Sequence, residues 1–216
     1  MSATNHIQDG QPLELMLAGY AAGTLPRALH ALVGAHLELS PVNRGFVARL
    51  EEGLSRSVVT QEPVSIRGRD ARLDAIFSAG PVEAAIAERQ ALEPRSLRHL
   101  FGKSIDDLAF RSVLPGVKEF RLETDDETRA VLYRIRAGRK MPQHSHEGAE
   151  VTLVLQGGFT DETGHYRRGD MVIADEHLDH VPVADADEEC ICFAVMDAPL
   201  RLTGTFGRLV NRFVSH

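Results

Sequence analysis

Two histidines and a glutamate between positions 144 and 150 have the spacing of a metal site. The segment GRKMPQHSHEGAEVTLVLQG contains the pattern G-x5-H-x-H-x3-E-x6-G, with His144, His146 and Glu150 at its fixed positions. Side chains along a strand alternate between its two faces, so residues two and four positions apart point the same way. The three side chains are therefore predicted to converge on one ion.

A fourth ligand is predicted eleven residues after a glycine turn. In GDMVIADEHLDHVPV, Gly169 opens the turn and His180 follows it, with His177 as a competing ligand. Three imidazoles and one carboxylate suit Zn²⁺, Fe²⁺, Mn²⁺ or Ni²⁺. We expect one divalent metal ion, with zinc as the first expectation. Any one of these residues alone would equally fit an ordinary surface or core position, but their joint pattern favours a metal site.

Cys190 and Cys192 are the two cysteines of the chain, and both belong to one strand-like run. Residues two positions apart share a strand face, a geometry that disfavours a disulfide between them. We expect them to be small buried core residues. The alternative is that an oxidant modifies these thiols or the metal ligands.

Both groups of residues lie in a region of short strand-like segments that begins near residue 94. The runs AVLYRIR, EVTLVLQG, DMVIAD and CICFAVMD have period-two character, and glycines separate them. Several short strands with glycine turns indicate an antiparallel sandwich or barrel.

The first part of the chain has helical spacing instead. Apolar residues recur every three or four positions over residues 13–56, which predicts two helices packed as a hairpin and a third over residues 41–54 that Ser40 caps. A fourth helix is predicted over residues 70–77. Its apolar side either closes the helical core or contacts a partner. That side consists of Leu73, Ile76 and Phe77.

Composition limits the function. The net charge is -7, and no basic cluster stands out, so direct nucleic-acid binding is not expected. The N-terminus lacks the layout of a signal peptide, and no apolar run approaches the roughly 20 residues of a membrane span. We expect a cytoplasmic protein without membrane contact. Its predicted domains are a helical domain over 1–85, a linker over 86–105 and a metal-binding domain over 106–216.

The metal pattern resembles the first cupin motif at every fixed position. The second stretch resembles the second cupin motif at Gly169 and His180, whereas Asp175, His177 and Ala184 replace its proline, second glycine and asparagine. The resemblance implies an α + β chain with two domains. A small N-terminal helical bundle would precede a cupin-type antiparallel β-barrel, or jelly roll.

Nearly the whole chain also resembles ChrR-type anti-sigma factors, which bind and silence an extracytoplasmic-function sigma factor. The matching stretches are AGYAAGTL at 18–25, TLVLQGGFTDETG at 152–164 and CICFAVMDAPLR at 190–201. The resemblance implies that the helical domain clamps a sigma factor and that the cupin domain responds to an oxidative signal such as singlet oxygen. Cupin barrels frequently pair, which leaves a homodimer open.

The helical part departs from that family at a zinc site. The family binds structural zinc through an upstream histidine and an H-x3-C-x2-C segment, where this chain has His36, Ser40 and Asn43. Serine and asparagine are poor zinc ligands, so we expect that His6 and His36 do not hold zinc. The domain either keeps its sigma-binding fold through its apolar core or has taken another role. The retained AGYAAGTL favours the first.

Three functions therefore compete. The first is a transcriptional regulator of the anti-sigma type. The second is a dioxygenase-like cupin enzyme, because a ferrous site with an open position can activate dioxygen or polarise a small substrate. The third is a plain metal-binding module whose helices form a dimer. The sequence shows no second constellation of acid, base or nucleophile. Glu176, His177 and Asp179 lie near the metal motif, but the sequence does not determine which way they face, so we favour the regulator and assign no catalytic residue.

Overall fold

The computed structural model describes residues 11–79, 93–124, 128–198 and 200–203. Helices come first and antiparallel strands follow, which confirms the predicted α + β organisation. The helices are α1 (Gln11–Ala22), α2 (Arg27–Leu39), α3 (Arg44–Val59), α4 (Arg69–Ser78) and α5 (Arg95–Phe101), followed by a short 3-10 helix (Ile105–Asp107). Within the described residues, none of these helices has the length and apolarity that crossing a membrane requires.

The strands form one large and two small antiparallel sheets. They are β1 (Arg111–Leu114), β2 (Val117–Leu122), β3 (Arg129–Ile135), β4 (His144–His146), β5 (Glu150–Gln156), β6 (Gly158–Thr160), β7 (His165–Arg167), β8 (Met171–Ala174), β9 (Val183–Ala184), β10 (Cys190–Met196) and β11 (Leu200–Leu202). The large sheet has the order β1-β2-β3-β10-β5-β8, and the small sheets are β7-β6-β9 and β11-β4.

The central strands of the large sheet, β5 and β10, are buried on both faces. One face packs against the three-stranded sheet and forms the barrel interior, with Val154, Val172, Cys190 and Cys192 opposite Phe159. The other face contributes a second apolar row to a core shared with the helices. That row includes Leu132, Val151, Leu153, Leu155, Ile191, Phe193 and Val195. Burial on both faces explains why β5 and β10 are almost continuous apolar runs.

Helix α2 lies at the centre of the shared core, where Leu32 and Val33 are fully buried. Its Glu38 carboxylate accepts hydrogen bonds from the backbone N–H groups of Arg95 (2.7 Å) and Ser96 (2.9 Å), at the start of α5. These bonds satisfy amides that a helix N-terminus leaves unpaired. The helices and the barrel are thus joined through one apolar core.

The third helix begins later than the sequence analysis predicted. The Ser40 N–H donates to the His36 carbonyl at 2.8 Å and so completes the last turn of α2. A tight turn follows, in which the Arg44 N–H donates to the Pro41 carbonyl at 3.3 Å. Helix α3 therefore starts at Arg44, and Ser40 does not cap it: the Ser40 hydroxyl accepts from the Val42 N–H instead.

Candidate metal centre

The backbone places three histidines at one end of the barrel. His144 and His146 are the ends of β4, which pairs with β11. His180 lies opposite His144 in an antiparallel bridge, with reciprocal backbone hydrogen bonds of 3.1 and 3.0 Å. Local strand geometry thus aligns two candidate ligands, and a pairing between distant segments adds the third.

The three rings converge through their Nε2 atoms. The His180 Nε2 lies 3.0 Å from the Nε2 of His144 and 3.4 Å from that of His146. Zinc bonded to nitrogen in a tetrahedron places its ligand atoms about 3.3 Å apart, and an octahedral ion at similar bond lengths places them about 2.9 Å apart. The spacing therefore fits a single divalent ion. All three side chains are buried.

Neighbouring acceptors orient two of the rings. The His144 Nδ1–H donates to the Pro142 carbonyl oxygen at 2.8 Å, and the His180 Nδ1–H donates to the Asp161 carboxylate at 2.8 Å. When Nδ1 carries the hydrogen, the neutral ring keeps a lone pair on Nε2. Both rings thus present an unprotonated nitrogen at the point of convergence.

Burial also favours the neutral forms of His144 and His146. It lowers the pKa of His144 to about 4, an effect that the neighbouring His180 strengthens. It lowers the pKa of His146 to about 4 as well, together with the charges of His144 and His180. Only neutral imidazole binds a metal, so these two ligands stay available well below neutral pH.

Glu150 lies beside the three histidines, but its carboxylate oxygens do not converge with their Nε2 atoms. It is buried, its Oε1 accepts from the Thr152 hydroxyl at 2.8 Å, and its Oε2 lies 3.6 Å from the His146 Nδ1. Burial raises the pKa of this carboxyl. A nearby cation would favour its ionised form, so its chemistry suits a metal site. Among the described residues the converging ligand atoms belong to the three histidines, and Glu150 as fourth ligand stays a prediction.

The competing histidine lies elsewhere. The His177 side chain is 83% exposed and approaches only the Glu176 carboxylate among the described ionic contacts, at 3.9 Å. It is absent from the histidine cluster found within the described residues. The geometry thus favours His180 over His177.

Asp161 is a part of the site that the sequence analysis did not identify. Its side chain is completely buried, and besides His180 it accepts from the N–H and hydroxyl of Thr163 and from the N–H of Gly164. Burial alone would raise its pKa, but the hydrogen bonds from His180 and Thr163 outweigh burial and lower it. The turn signal Asp-Glu-Thr-Gly marks such a self-bonded loop, whereas its contact with His180 has no sequence signal.

A small cavity of about 50 Å³ adjoins the histidines inside the barrel. Glu150, Tyr133 and Cys192 contribute to its lining. A hydrogen bond with Cys190 and burial both raise the pKa of the Cys192 thiol. Since the thiolate is the reactive form, a protonated buried thiol is a poor target for oxidants. Both cysteines are free and buried, as predicted.

Three residues near the end of α2 stand where the family has its helical zinc site, and they make hydrogen bonds to one another: His36, Ser40 and Asn43. The Asn43 amide donates to the His36 Nε2 at 3.0 Å, and Ser40 lies in the turn described above. His6 lies outside the described residues. The Asn43 amide thus uses the lone pair on the His36 Nε2, which is the lone pair that a metal ion would need.

Comparison with known proteins agrees with the geometry. Residues 100–198 match the ChrR cupin-like domain family. The chain is 36% identical over 218 residues to the anti-sigma-E factor ChrR of Cereibacter sphaeroides, covering 99% of each chain. A chain in the crystal structure of Rhodobacter sphaeroides SigE in complex with the anti-sigma ChrR matches with a TM-score of 0.68 and 34% identity, covering 85% of this chain and 96% of that one. These findings confirm the predicted resemblance and the cupin-type barrel.

Proposed function

Because this chain belongs to the family of ChrR anti-sigma factors, we propose that it binds an extracytoplasmic-function sigma factor through its N-terminal helices and holds it inactive. The related complex joins SigE to ChrR, and the similarity to it extends over most of this chain. In this chain, one structural observation carries the proposal: the second half of α3 and all of α4 expose an apolar surface.

That surface, here named the α3–α4 arm, comprises residues 51–79. Apart from the half-buried Leu73, every residue of the arm is exposed, and α4 buries none of its side chains. Seven of the eleven exposed large apolar residues in the described part of the chain lie on it. They are Leu54, Val58, Val59, Val64, Ile66, Ile76 and Phe77. Such a concentration marks a protein-binding surface more often than a free one.

The arm can be tested with the purified protein and its co-encoded sigma factor. We expect the double change Ile76→Ser and Phe77→Ser to weaken binding at least about tenfold, because exposed apolar anchors contribute most of the energy of such interfaces. These side chains are 65% and 81% exposed, so the melting temperature should stay unchanged. Calorimetric titration gives the dissociation constant.

A matched control changes Val113 and Leu114 to serine, since both are 39% exposed and lie on β1 of the barrel. That variant should bind like the wild type. Equal loss in both variants would remove the arm from the interface. Failure of the wild type to bind any co-encoded sigma factor would refute the function itself.

We further propose that the barrel holds one zinc ion through His144, His146, Glu150 and His180. The convergence of three buried imidazole rings beside a buried carboxylate supports this proposal. Elemental analysis should find one zinc per chain, lost in His144→Ala and retained in His177→Ala. Iron or manganese would favour an enzyme instead. Two zinc ions per chain would contradict the prediction that the helical domain, with Ser40 and Asn43 in place of two cysteines, holds no zinc.

The dioxygenase-like alternative has no specific support in the described residues. The cavity beside the histidines measures about 50 Å³. Sites for small organic molecules usually measure about 300–1,000 Å³. The geometry thus suits an ion better than a substrate.

The proposed signal is an oxidant that acts on the metal domain and weakens the sigma complex. Family membership supports this part of the proposal. Singlet oxygen from a photosensitiser should raise the dissociation constant of the complex for the wild type. Singlet oxygen should leave the dissociation constant of the His144→Ala complex unchanged, because this variant lacks the metal site. An equal response in both proteins would place the sensor elsewhere.

A further inference from the structure

His36 is a buried histidine that bonds two separate parts of the chain. It lies near the C-terminal end of α2 and is 4% exposed. Its Nδ1 lies 2.8 Å from the carbonyl oxygen of Gly169, 133 residues away, and its Nε2 lies 3.0 Å from the side-chain nitrogen of Asn43. Both ring nitrogens are thus occupied.

The partners determine which nitrogen carries the hydrogen. A backbone carbonyl only accepts, so the His36 Nδ1 must donate to Gly169. The Asn43 amide nitrogen only donates, so the His36 Nε2 must accept. One neutral tautomer satisfies both bonds, and each partner by itself requires it. This ring has no lone pair left for a metal.

Each end of this chain of bonds reaches a different functional element. Asn43 immediately precedes α3, whose second half begins the α3–α4 arm. Gly169 lies in the turn before β8, and its own N–H donates to the Val154 carbonyl of β5 at 2.8 Å. Strand β5 starts at Glu150 and pairs with β8. The Asn43–His36–Gly169 bonds, here named the His36 relay, therefore connect the arm to the strands of the metal centre.

The contact at Gly169 is close and geometrically demanding. The glycine has φ +90°, a conformation that other residues rarely adopt. A side chain there would also meet the Cβ of Leu39 in α2 at 3.4 Å. Gly169 thus lets the turn approach the helix closely enough for the relay to form.

We propose that the His36 relay couples the barrel metal centre to the helices that bind the partner. A change at β5 or β8 alters the positions of α2 and α3 through the relay. Binding of the sigma factor to the α3–α4 arm in turn alters these two strands. This inference rests on the proposed function. Coupling of this kind is reciprocal, so metal and sigma factor must change each other's affinity by the same factor.

The test compares sigma-factor affinity for the zinc-loaded protein and for the protein stripped with a chelator. For the wild type, we expect the two dissociation constants to differ at least about fivefold, the lower end of typical coupling. In Asn43→Ala, which removes the bond between the His36 ring and the start of α3, the ratio should approach one. Ser40→Ala is the matched control, since the Ser40 side chain lies in the same turn and bonds the Val42 N–H rather than the His36 ring, and alanine keeps the backbone bond from residue 40 to the His36 carbonyl. It should keep the wild-type ratio.

The outcomes separate the two proposals. Absence of sigma binding in every form would refute the proposed function. A wild type that binds with a ratio of one, or Asn43→Ala with an unchanged ratio, would overturn the relay while leaving the anti-sigma function intact.

A second measurement needs neither sigma factor nor metal. Long-range proton–nitrogen correlation spectra of the ¹⁵N-labelled protein report which His36 nitrogen is protonated. We expect the hydrogen on Nδ1 in all three proteins, because the Gly169 carbonyl requires a donor there, and a shifted Nε2 resonance in Asn43→Ala alone, because that nitrogen loses its hydrogen bond. A ring protonated at Nε2 in the wild type would overturn the relay.

Discussion

At the scale of single residues, the site depends on groups that are not ligands themselves. Asp161 fixes the ring of His180 and is held by Thr163 and Gly164, so the loop between β6 and β7 positions a candidate ligand of another segment. Carboxylates of this kind raise the basicity of a ligating histidine and fix its orientation. The site therefore extends beyond its four predicted ligands.

Asp161→Asn tests this role directly. We expect zinc affinity to fall about 10–100-fold, because the variant loses the charge that favours donation from His180. Asp185→Asn is the matched control, since Asp185 makes a similar 2.9 Å contact with His165 away from the centre. Competition with a chromophoric chelator gives both affinities. Equal affinities in the two variants would leave Asp161 with a structural role only.

The buried histidines predict a pH dependence of stability in the metal-stripped protein. His144 and His146 have a pKa near 4 in the folded state, against 6.5 ordinarily. As the pH falls from 6.5 to 4, the unfolded chain binds protons that the folded chain does not, so the free energy of unfolding decreases. We expect a loss of at least about 1 kcal/mol per histidine, since one pKa unit corresponds to that order of energy.

Glu150 acts in the opposite sense, because its raised pKa makes the folded state bind a proton more readily. The measurement is therefore made on Glu150→Gln, by urea unfolding at pH 6.5, 5.5 and 4.5. Adding His144→Gln should make the slope with pH smaller. An unchanged slope would show that His144 does not stay neutral when buried.

At the scale of elements, the packing of α2 against α5 depends on one glycine. A Cβ on Gly34 would lie 2.6 Å from the hydroxyl of Ser96, and that hydroxyl donates to Glu38. The helices approach so closely that a methyl group has no room. This contact holds α5 against the shared core.

Gly34→Ala should therefore destabilise the fold by about 1–3 kcal/mol, through overpacking. Gly53→Ala is its control, because nothing lies within 4 Å of a Cβ there on exposed α3. Alanine favours helix over glycine by up to about 1 kcal/mol, so this change should stabilise. Urea unfolding measures both. A Gly34→Ala protein as stable as Gly53→Ala would show that α5 can move away without cost.

At the scale of the whole molecule, the helices and the barrel share one core on the outer face of the large sheet. The phenylalanine of α5, Phe101, packs edge-on against Phe193 of β10 with ring centroids 5.5 Å apart. A body built on one continuous core should unfold as one unit. The His36 relay then connects parts that are already held together.

Leu32→Ala tests this cooperativity. Leu32 is fully buried in α2, and its truncation should cost about 2–5 kcal/mol. The helical circular-dichroism signal and the reactivity of the buried barrel thiols should shift to lower temperature together. Leu54→Ala, at a position 45% exposed, should change little. Loss of helix before thiol exposure would contradict a shared core.

Local patterns in the sequence were sufficient for much of this protein. The period of two in HSHEGAE places His144 and His146 on one face because strand geometry is local, and the helical periods predicted α1 to α4 within a few residues. The onset of α3 was missed, because Ser40 completes α2 by a backbone bond that side-chain preferences do not reveal.

Burial of β5 and β10 on both faces has its own signal in the sequence, which is an uninterrupted apolar run rather than alternation. The run CICFAVM is apolar at every position, and all seven residues are buried. A strand with only one buried face would alternate with polar residues. A continuous apolar run indicates a second covering layer, but the sequence analysis assigned this run a period of two and missed that layer.

The sequence by itself therefore indicated the candidate ligands and determined the order of elements and the family. Tertiary structure alone decided that His180 meets His144, that Asp161 orients His180 and that His36 bonds Gly169. These contacts join residues 19 to 133 positions apart. Whether such side chains meet depends on how strands pair and helices pack, and those arrangements follow from burying the whole core rather than from any local preference.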